Sequence, residues 1–114
     1  MKPAVVYIDD ELALCRIVRW RLEAAGLAVE TFTDPESAIA WVQDHDVRCV
    51  LCDYRMPAMN GFQVLERLDE RIPFYLVTGD LAVGGELSDR TRVRGVIQKP
   101  FSFDELVALL RGLD

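Results

Sequence analysis

The residues with chemical reach fall at four places. Asp9, Asp10 and Glu11 follow one short apolar run, Asp53 follows a second, Thr78 and Gly79 close a third, and Lys99 with Pro100 follows a fourth. Carboxylates gathered at one point repel: two unit charges ~4 Å apart cost about 4 kcal/mol at an effective dielectric near ~20. Such a cluster calls for a cation, and oxygen ligands with room for water suit Mg²⁺. A cation held there offsets the charge of a phosphoryl oxygen. Asp53 then has the chemistry of a nucleophile, because a carboxylate can form an acyl phosphate. The Thr78 hydroxyl can donate to one phosphoryl oxygen, and the Lys99 ammonium can bind another as a point charge. Singly, each residue has a plainer role: an Asp after a strand caps a helix or forms a turn, and a Lys is solvated. The chemistry is carried by all four arriving together.

Those places have to be brought to one edge by the elements around them. Five runs rich in Val, Ile, Tyr and Phe, residues 4–8, 29–32, 47–52, 74–78 and 96–98, read as strands. Between them, residues 12–25, 35–45, 61–69, 84–93 and 103–110 read as helices. The alternation predicts an α/β fold with a mostly parallel sheet and helices on both faces. Ligands of such sheets bind outside the carboxyl ends of the strands, where the strand order reverses. Leu14, Ile17, Val18, Leu22 and Ala25 form a helical stripe that Gly26 stops. Asp34-Pro35-Glu36 is a capped helix start, and Ser102 with Glu105 has the spacing of a capping box. Trp41 shares a face with Ala38 and His45 and is expected in the core. The helix over 84–93 is weak, with Gly84-Gly85 at its start and Ser88 to Thr91 poor or average helix formers, and is expected to be the softest element.

Composition narrows the classes. A length of 114 residues fits one compact domain, and 51% hydrophobic residues suffice for a core without staples. A net charge of −6 argues against non-specific nucleic-acid binding, which needs a basic face. No run approaches the ~18 apolar residues of a membrane span, and the start is too short for a signal peptide. A soluble, cytoplasmic protein is expected. Cys49 and Cys52 lie three apart on a predicted strand and so point to opposite faces, which makes a shared metal ion a poor fit. With Cys15 they read as small buried thiols.

The runs Ile8-Asp9-Asp10-Glu11, Asp53-Tyr54-Arg55-Met56-Pro57 with Asn60-Gly61, Thr78-Gly79 and Lys99-Pro100-Phe101 together resemble the receiver domains of bacterial two-component response regulators. The resemblance runs from Ala4 to about Leu113. It implies a five-stranded, doubly wound parallel sheet of flavodoxin-like strand order 2-1-3-4-5 and a cis Lys99–Pro100 bond. It also implies Asp9 and Asp10 as an acidic pair for Mg²⁺, Asp53 as phospho-acceptor, Thr78 and Lys99 as phosphoryl binders, and the backbone carbonyl of Arg55 as a further metal ligand. The expected donor is a histidine kinase or phosphotransfer domain, docked near Leu12, Cys15, Arg16, Arg19 and Phe101, with Trp20 exposed. A small donor such as acetyl phosphate is the alternative phosphoryl source. The implied target is a downstream output domain or protein; none is expected within these 114 residues, nor direct nucleic-acid binding, nor catalysis beyond the chain's own phosphorylation and dephosphorylation. Val96 stands where many members carry an aromatic switch, so output is expected to pass instead through an ordering of the segment 79–95, presented on the face formed by the fourth helix, fifth strand and fifth helix. Arg55 and Asp80 are expected to flank the site and set the lifetime of the phosphoryl group.

Other readings of the same pattern are weaker. A flavodoxin-like cofactor binder would want Ser, Thr and Gly after the first strand, where Asp9-Asp10-Glu11 would repel a phosphate. A phosphatase of the haloacid-dehalogenase type would carry its nucleophile there in an Asp-x-Asp motif. A phosphorylation-independent interaction module of the same fold would have lost part of the acidic pair, the acceptor or the lysine.

Overall fold

The computed structural model describes residues 3–79 and 92–113. Within them run β1 (Ala4–Ile8), α1 (Leu12–Ala24), β2 (Val29–Phe32), α2 (Pro35–Asp44), β3 (Val47–Asp53), α3 (Gly61–Glu66), β4 (Phe74–Thr78), β5 (Val93–Gln98) and α4 (Phe103–Arg111). The strands form one parallel sheet in the order β2-β1-β3-β4-β5. The fold class and strand order match expectation. No helix among the described residues is long and apolar enough to cross a membrane.

The central strands are continuous apolar runs because helices cover both of their faces. All five residues of β1 and of β4 are buried. Alternation along each strand splits the core in two. Val6, Ile8, Val50, Cys52, Phe74 and Leu76 pack against Ala38, Ile39 and Val42 of α2 and Phe62, Val64 and Leu65 of α3. Val5, Tyr7, Cys49, Leu51, Tyr75 and Val77 pack on the other face against Cys15, Val18 and Leu22 of α1 and Leu106 and Leu110 of α4. Cys49 and Cys52 thus face opposite cores, and all three cysteines are buried and free.

Several boundaries move. β3 runs one residue further than predicted, so Asp53 is the last residue of the strand and pairs with Val77. β5 opens at Val93 rather than 96, so Val93 belongs to a strand and not to the predicted helix over 84–93. A Cβ at Gly95 would stand 3.3 Å from the Tyr75 ring, so the glycine makes room for its neighbour. Residues 84–91 of that helix lie outside the described residues.

α1 ends at Ala24 in a motif in which Leu27 N–H bonds Leu22 O (3.0 Å) and Gly26 N–H bonds Glu23 O (3.0 Å), with Gly26 at φ +83°. That left-handed turn is why a glycine sits there. The buried stripe of α1 is Cys15, Val18 and Leu22, turned from the predicted one: Cys15 is core and Ile17 is 46% exposed. Apolar residues on α1 outnumber what one sheet face can cover, and the sheet selects the face.

α2 starts as predicted, with Asp34 accepting from Ser37 N–H (3.1 Å) and Ser37 Oγ–H (2.8 Å). It ends at Asp44, one residue early. His45 is exposed and stacks on Trp41 (centroids 3.9 Å apart), which is half-buried rather than fully in the core. α3 stops at Glu66 instead of 69; Leu68 N–H bonds Leu65 O (3.2 Å), and Arg92 donates to Leu65 O (2.9 Å) and Leu68 O (2.8 Å) at that end. Its start carries a capping box between Asn60 and Gln63. At α4, Ser102 Oγ accepts from Glu105 N–H (3.3 Å), the cap half of the predicted box.

Candidate metal and phosphoryl site

The carboxyl ends of β1, β3, β4 and β5 deliver Asp9, Asp53, Thr78 and Lys99 to one edge of the sheet. The chain leaves β1 toward one side to form β2 and returns to form β3 on the other, so Asp9 and Asp53 flank the reversal in strand order. Asp9, Asp53 and Thr78 are the buried polar or charged residues among those described. Burying such groups is costly unless they are bonded or paired. Here the second strand of that edge is also pinned from below: Gly61 N–H bonds Tyr54 O (2.9 Å), and a Cβ at Gly61 would come within 2.6 Å of Leu76 Cδ1 and 3.1 Å of Asp53 O.

Lys99 supplies the positive charge. Its Nζ lies 2.8 Å from Asp9 Oδ2, 3.3 Å from Asp53 Oδ1 and 3.9 Å from Glu11 Oε1. Its backbone N–H bonds Thr78 O (3.0 Å), and the Lys99–Pro100 bond is cis, as expected. Burial works against the ammonium, but the hydrogen bond and charge of Asp9, with those of Asp53, outweigh it and raise the Lys99 pKa. The Asp53 carboxyl is pushed up to about 6, first by burial and then by the charge of Asp9, with Lys99 opposing both. The shift reflects the cost of an ionised carboxylate buried beside Asp9, a cost that a cation between them would lower.

One oxygen from each of Asp9, Asp10 and Asp53 can be chosen so that all lie within 4.8 Å of one another, with Asp10 exposed and the other two buried. The donor set is all carboxylate, hard and anionic, and open to solvent on the Asp10 side. It fits a small hard dication that keeps water ligands. Arg55 is exposed, its guanidinium 5.9 Å from the centroid of the Tyr54 ring. Asp80 lies outside the described residues.

Three hydrogen bonds to Asp9 were not foreseen from the sequence. The Tyr7 hydroxyl donates to Asp9 Oδ2 (2.9 Å), the Glu11 N–H to Asp9 Oδ1 (3.0 Å), and the Cys15 thiol to the Asp9 carbonyl (3.2 Å). A signal for Tyr7 was available: it is the one polar-tipped residue in Ala4–Ile8, two before Asp9 and so on the same face. Cys15, expected on the donor surface, is instead 2% exposed. Burial, then the charge of Asp9, lifts its thiol to about 11, so it is an inert neutral donor.

The family profile of the response regulator receiver domain matches residues 5–111. The chain belongs to that family. Over 99% of its length the receiver domain is 30% identical to the phosphate regulon transcriptional regulatory protein PhoB of Rhizobium meliloti, covering 52% of that protein. It is 34% identical over 96% of its length to the transcriptional regulatory protein TrcR of Mycobacterium tuberculosis, covering 44% of it. The domain thus spans about half the length of these relatives. Its backbone superimposes on the chemotaxis response regulator CheY4 of Vibrio cholerae with a TM-score of 0.86, at 24% identity and full coverage of both chains, which speaks for the fold. The domain is a phospho-accepting receiver module of two-component signal transduction.

Proposed function

We propose that Asp53 is the residue that takes the phosphoryl group. The observation that carries this is its placement: it ends β3 at the strand-order reversal, buried, within 3.3 Å of Lys99 and within reach of Asp9 and Asp10. Asp9, Asp10, Asp53 and the backbone carbonyl of Arg55 would hold Mg²⁺, which when bound supplies charge neutralisation for a phosphoryl oxygen. A carboxylate oxygen of Asp53 attacks phosphorus. The bond from phosphorus to the donor breaks, and the donor leaves with its electron pair: the imidazole of a phosphohistidine, or acetate from acetyl phosphate. The product is an acyl phosphate. The Lys99 ammonium and Thr78 hydroxyl bind oxygens of the transferred group, where negative charge develops.

The protein donor is a histidine kinase or phosphotransfer domain. Its docking surface comprises Leu12 (53% exposed), Arg16 and Phe101 on the α1 side of the site, beside an apolar pocket of about 370 Å³ lined by Leu14, Lys99, Pro100, Phe101 and Phe103. The output side is a downstream domain or protein in the cytoplasm, not nucleic acid bound by this chain. The test is intact mass after acetyl phosphate and Mg²⁺. The expected result is a gain of one phosphoryl group that is lost in Asp53→Asn. Unchanged labelling of Asp53→Asn would refute the assignment, and no labelling of the parent chain would favour a phosphorylation-independent interaction module.

A further inference from the structure

β1 is aliphatic except for one residue, and that residue reaches the site. Tyr7 is 0% exposed and packs in the core between the sheet and helices α1 and α4. A phenol buried there needs a partner. It finds one in Asp9 Oδ2, at 2.9 Å. The same oxygen accepts from Lys99 Nζ at 2.8 Å, while Oδ1 accepts from the Glu11 N–H at 3.0 Å. The buried carboxylate of Asp9 therefore has donors on both oxygens, and Oδ2 has two.

The two donors on Oδ2 differ in what else they serve. Tyr7 has a single proton to give, and it goes to Asp9. Lys99 is shared, because its ammonium also lies 3.3 Å from Asp53 Oδ1. A phosphoryl group on Asp53 brings roughly −1.5 to −2 of charge and three strong acceptor oxygens. Lys99 is the cation beside it. Drawing the ammonium from Asp9 would leave a fully buried carboxylate oxygen without a donor, which is costly. The Tyr7 hydroxyl removes that cost, because Oδ2 keeps one hydrogen bond whatever Lys99 does.

We infer that Tyr7 is a positioning residue for the phosphoryl-transfer reaction: its hydroxyl holds Asp9 Oδ2, so that Lys99 is released to the phosphoryl group on Asp53. The inference rests on the reading of Lys99 as a phosphoryl binder. Replacing Tyr7 by Phe keeps the ring and its buried area and deletes the hydroxyl alone. Oδ2 then depends on Lys99, and the ammonium is held at Asp9.

The test compares the 114-residue chain with Tyr7→Phe, Lys99→Ala and the double variant. Two quantities are read: the rate constant for labelling by acetyl phosphate with Mg²⁺, and the dissociation constant for beryllofluoride by calorimetry. A hydrogen bond to a charged group is worth enough to expect about a tenfold loss in both for Tyr7→Phe. In the Lys99→Ala background the same change should alter neither, because the hydroxyl acts through the lysine. An equal loss in both backgrounds would mean a purely structural hydroxyl and overturn the inference, as would no loss from Tyr7→Phe in the chain that retains Lys99. If Lys99→Ala by itself left both quantities unchanged, the reading of Lys99 would fail and the inference with it. A measurement on the unsubstituted chain holds even where Tyr7→Phe does not fold. Beryllofluoride should move the buried hydroxyl proton of Tyr7 downfield in the NMR spectrum, as Asp9 comes to lean on its remaining side-chain donor, and an unmoved resonance overturns the inference.

Discussion

At the scale of single residues, the site is under electrostatic tension that Lys99 only partly relieves. The Asp53 carboxyl titrates at about 6 in the fold, raised from an ordinary 3.8, first by burial and then by Asp9. The folded state therefore binds this proton more tightly than the unfolded chain. The resulting stability is fully present below about pH 4 and is lost as pH rises to about 6. Metal-free protein should lose stability across that window, and Asp53→Asn should flatten the loss; urea titrations at stepped pH measure both. An equal slope in the two proteins would show that Asp53 is not the group responsible. Gly61 bears on the same residue from the other side. Gly61→Ala places a Cβ against Leu76 and the Asp53 carbonyl. It should cost about 1–3 kcal/mol as overpacking and slow acetyl phosphate labelling by displacing the acceptor. Asp9, Asp10, Asp53, Thr78 and Lys99 were legible as one cluster because their types make sense only together. Tyr7 was less so, since a tyrosine in a strand is ordinary until its hydroxyl is seen to land on Asp9.

At the scale of elements, α1 has two jobs that can be separated. Its inner face is core: Leu22 is fully buried, and Leu22→Ala should cost about 2–5 kcal/mol in urea unfolding. Its outer face is apolar as well, with Leu12, Ile17 and Trp20 at 53%, 46% and 69% exposure. Leu12→Asp should leave stability within about 0.5 kcal/mol and labelling by acetyl phosphate unchanged, yet slow transfer from a phosphohistidine donor. Equal slowing with both donors would place the effect in the fold instead. Periodicity identified α1 and its stop at Gly26. It did not choose between the two apolar faces, because that choice depends on which side chains the sheet admits, and Cys15 reaches the Asp9 carbonyl where Ile17 does not. α3 was overextended for a related reason: Arg92, more than twenty residues along the chain, bonds Leu65 O where the helix ends, and no local signal announces that bond.

At the scale of the whole molecule, a net charge of −6 and a clustered acidic edge make the receiver a good host for a dication. Mg²⁺ that binds the folded chain alone adds about 2.7 kcal/mol at a hundredfold excess over its dissociation constant. The melting temperature should rise with Mg²⁺ and rise less in Asp53→Asn. A melting temperature unmoved at tens of millimolar would exclude the metal site. The expected ordering of the segment 79–95 falls largely on residues 80–91, outside those described.

The amino-acid sequence alone determined the alternation of strands and helices, the parallel sheet and the set of reactive residues at strand ends. Those follow from local periodicity, β-branched runs and turn chemistry, which act over a few residues. Tertiary structure decided which face of α1 is buried, where α3 and β5 begin or end, and which donors hold Asp9. Each of these depends on partners distant in sequence: Gly95 yields to Tyr75, Arg92 caps α3, and Lys99 reaches Asp9 across ninety positions. Such contacts exist only after the chain has closed on itself, and their energies then override the local preference.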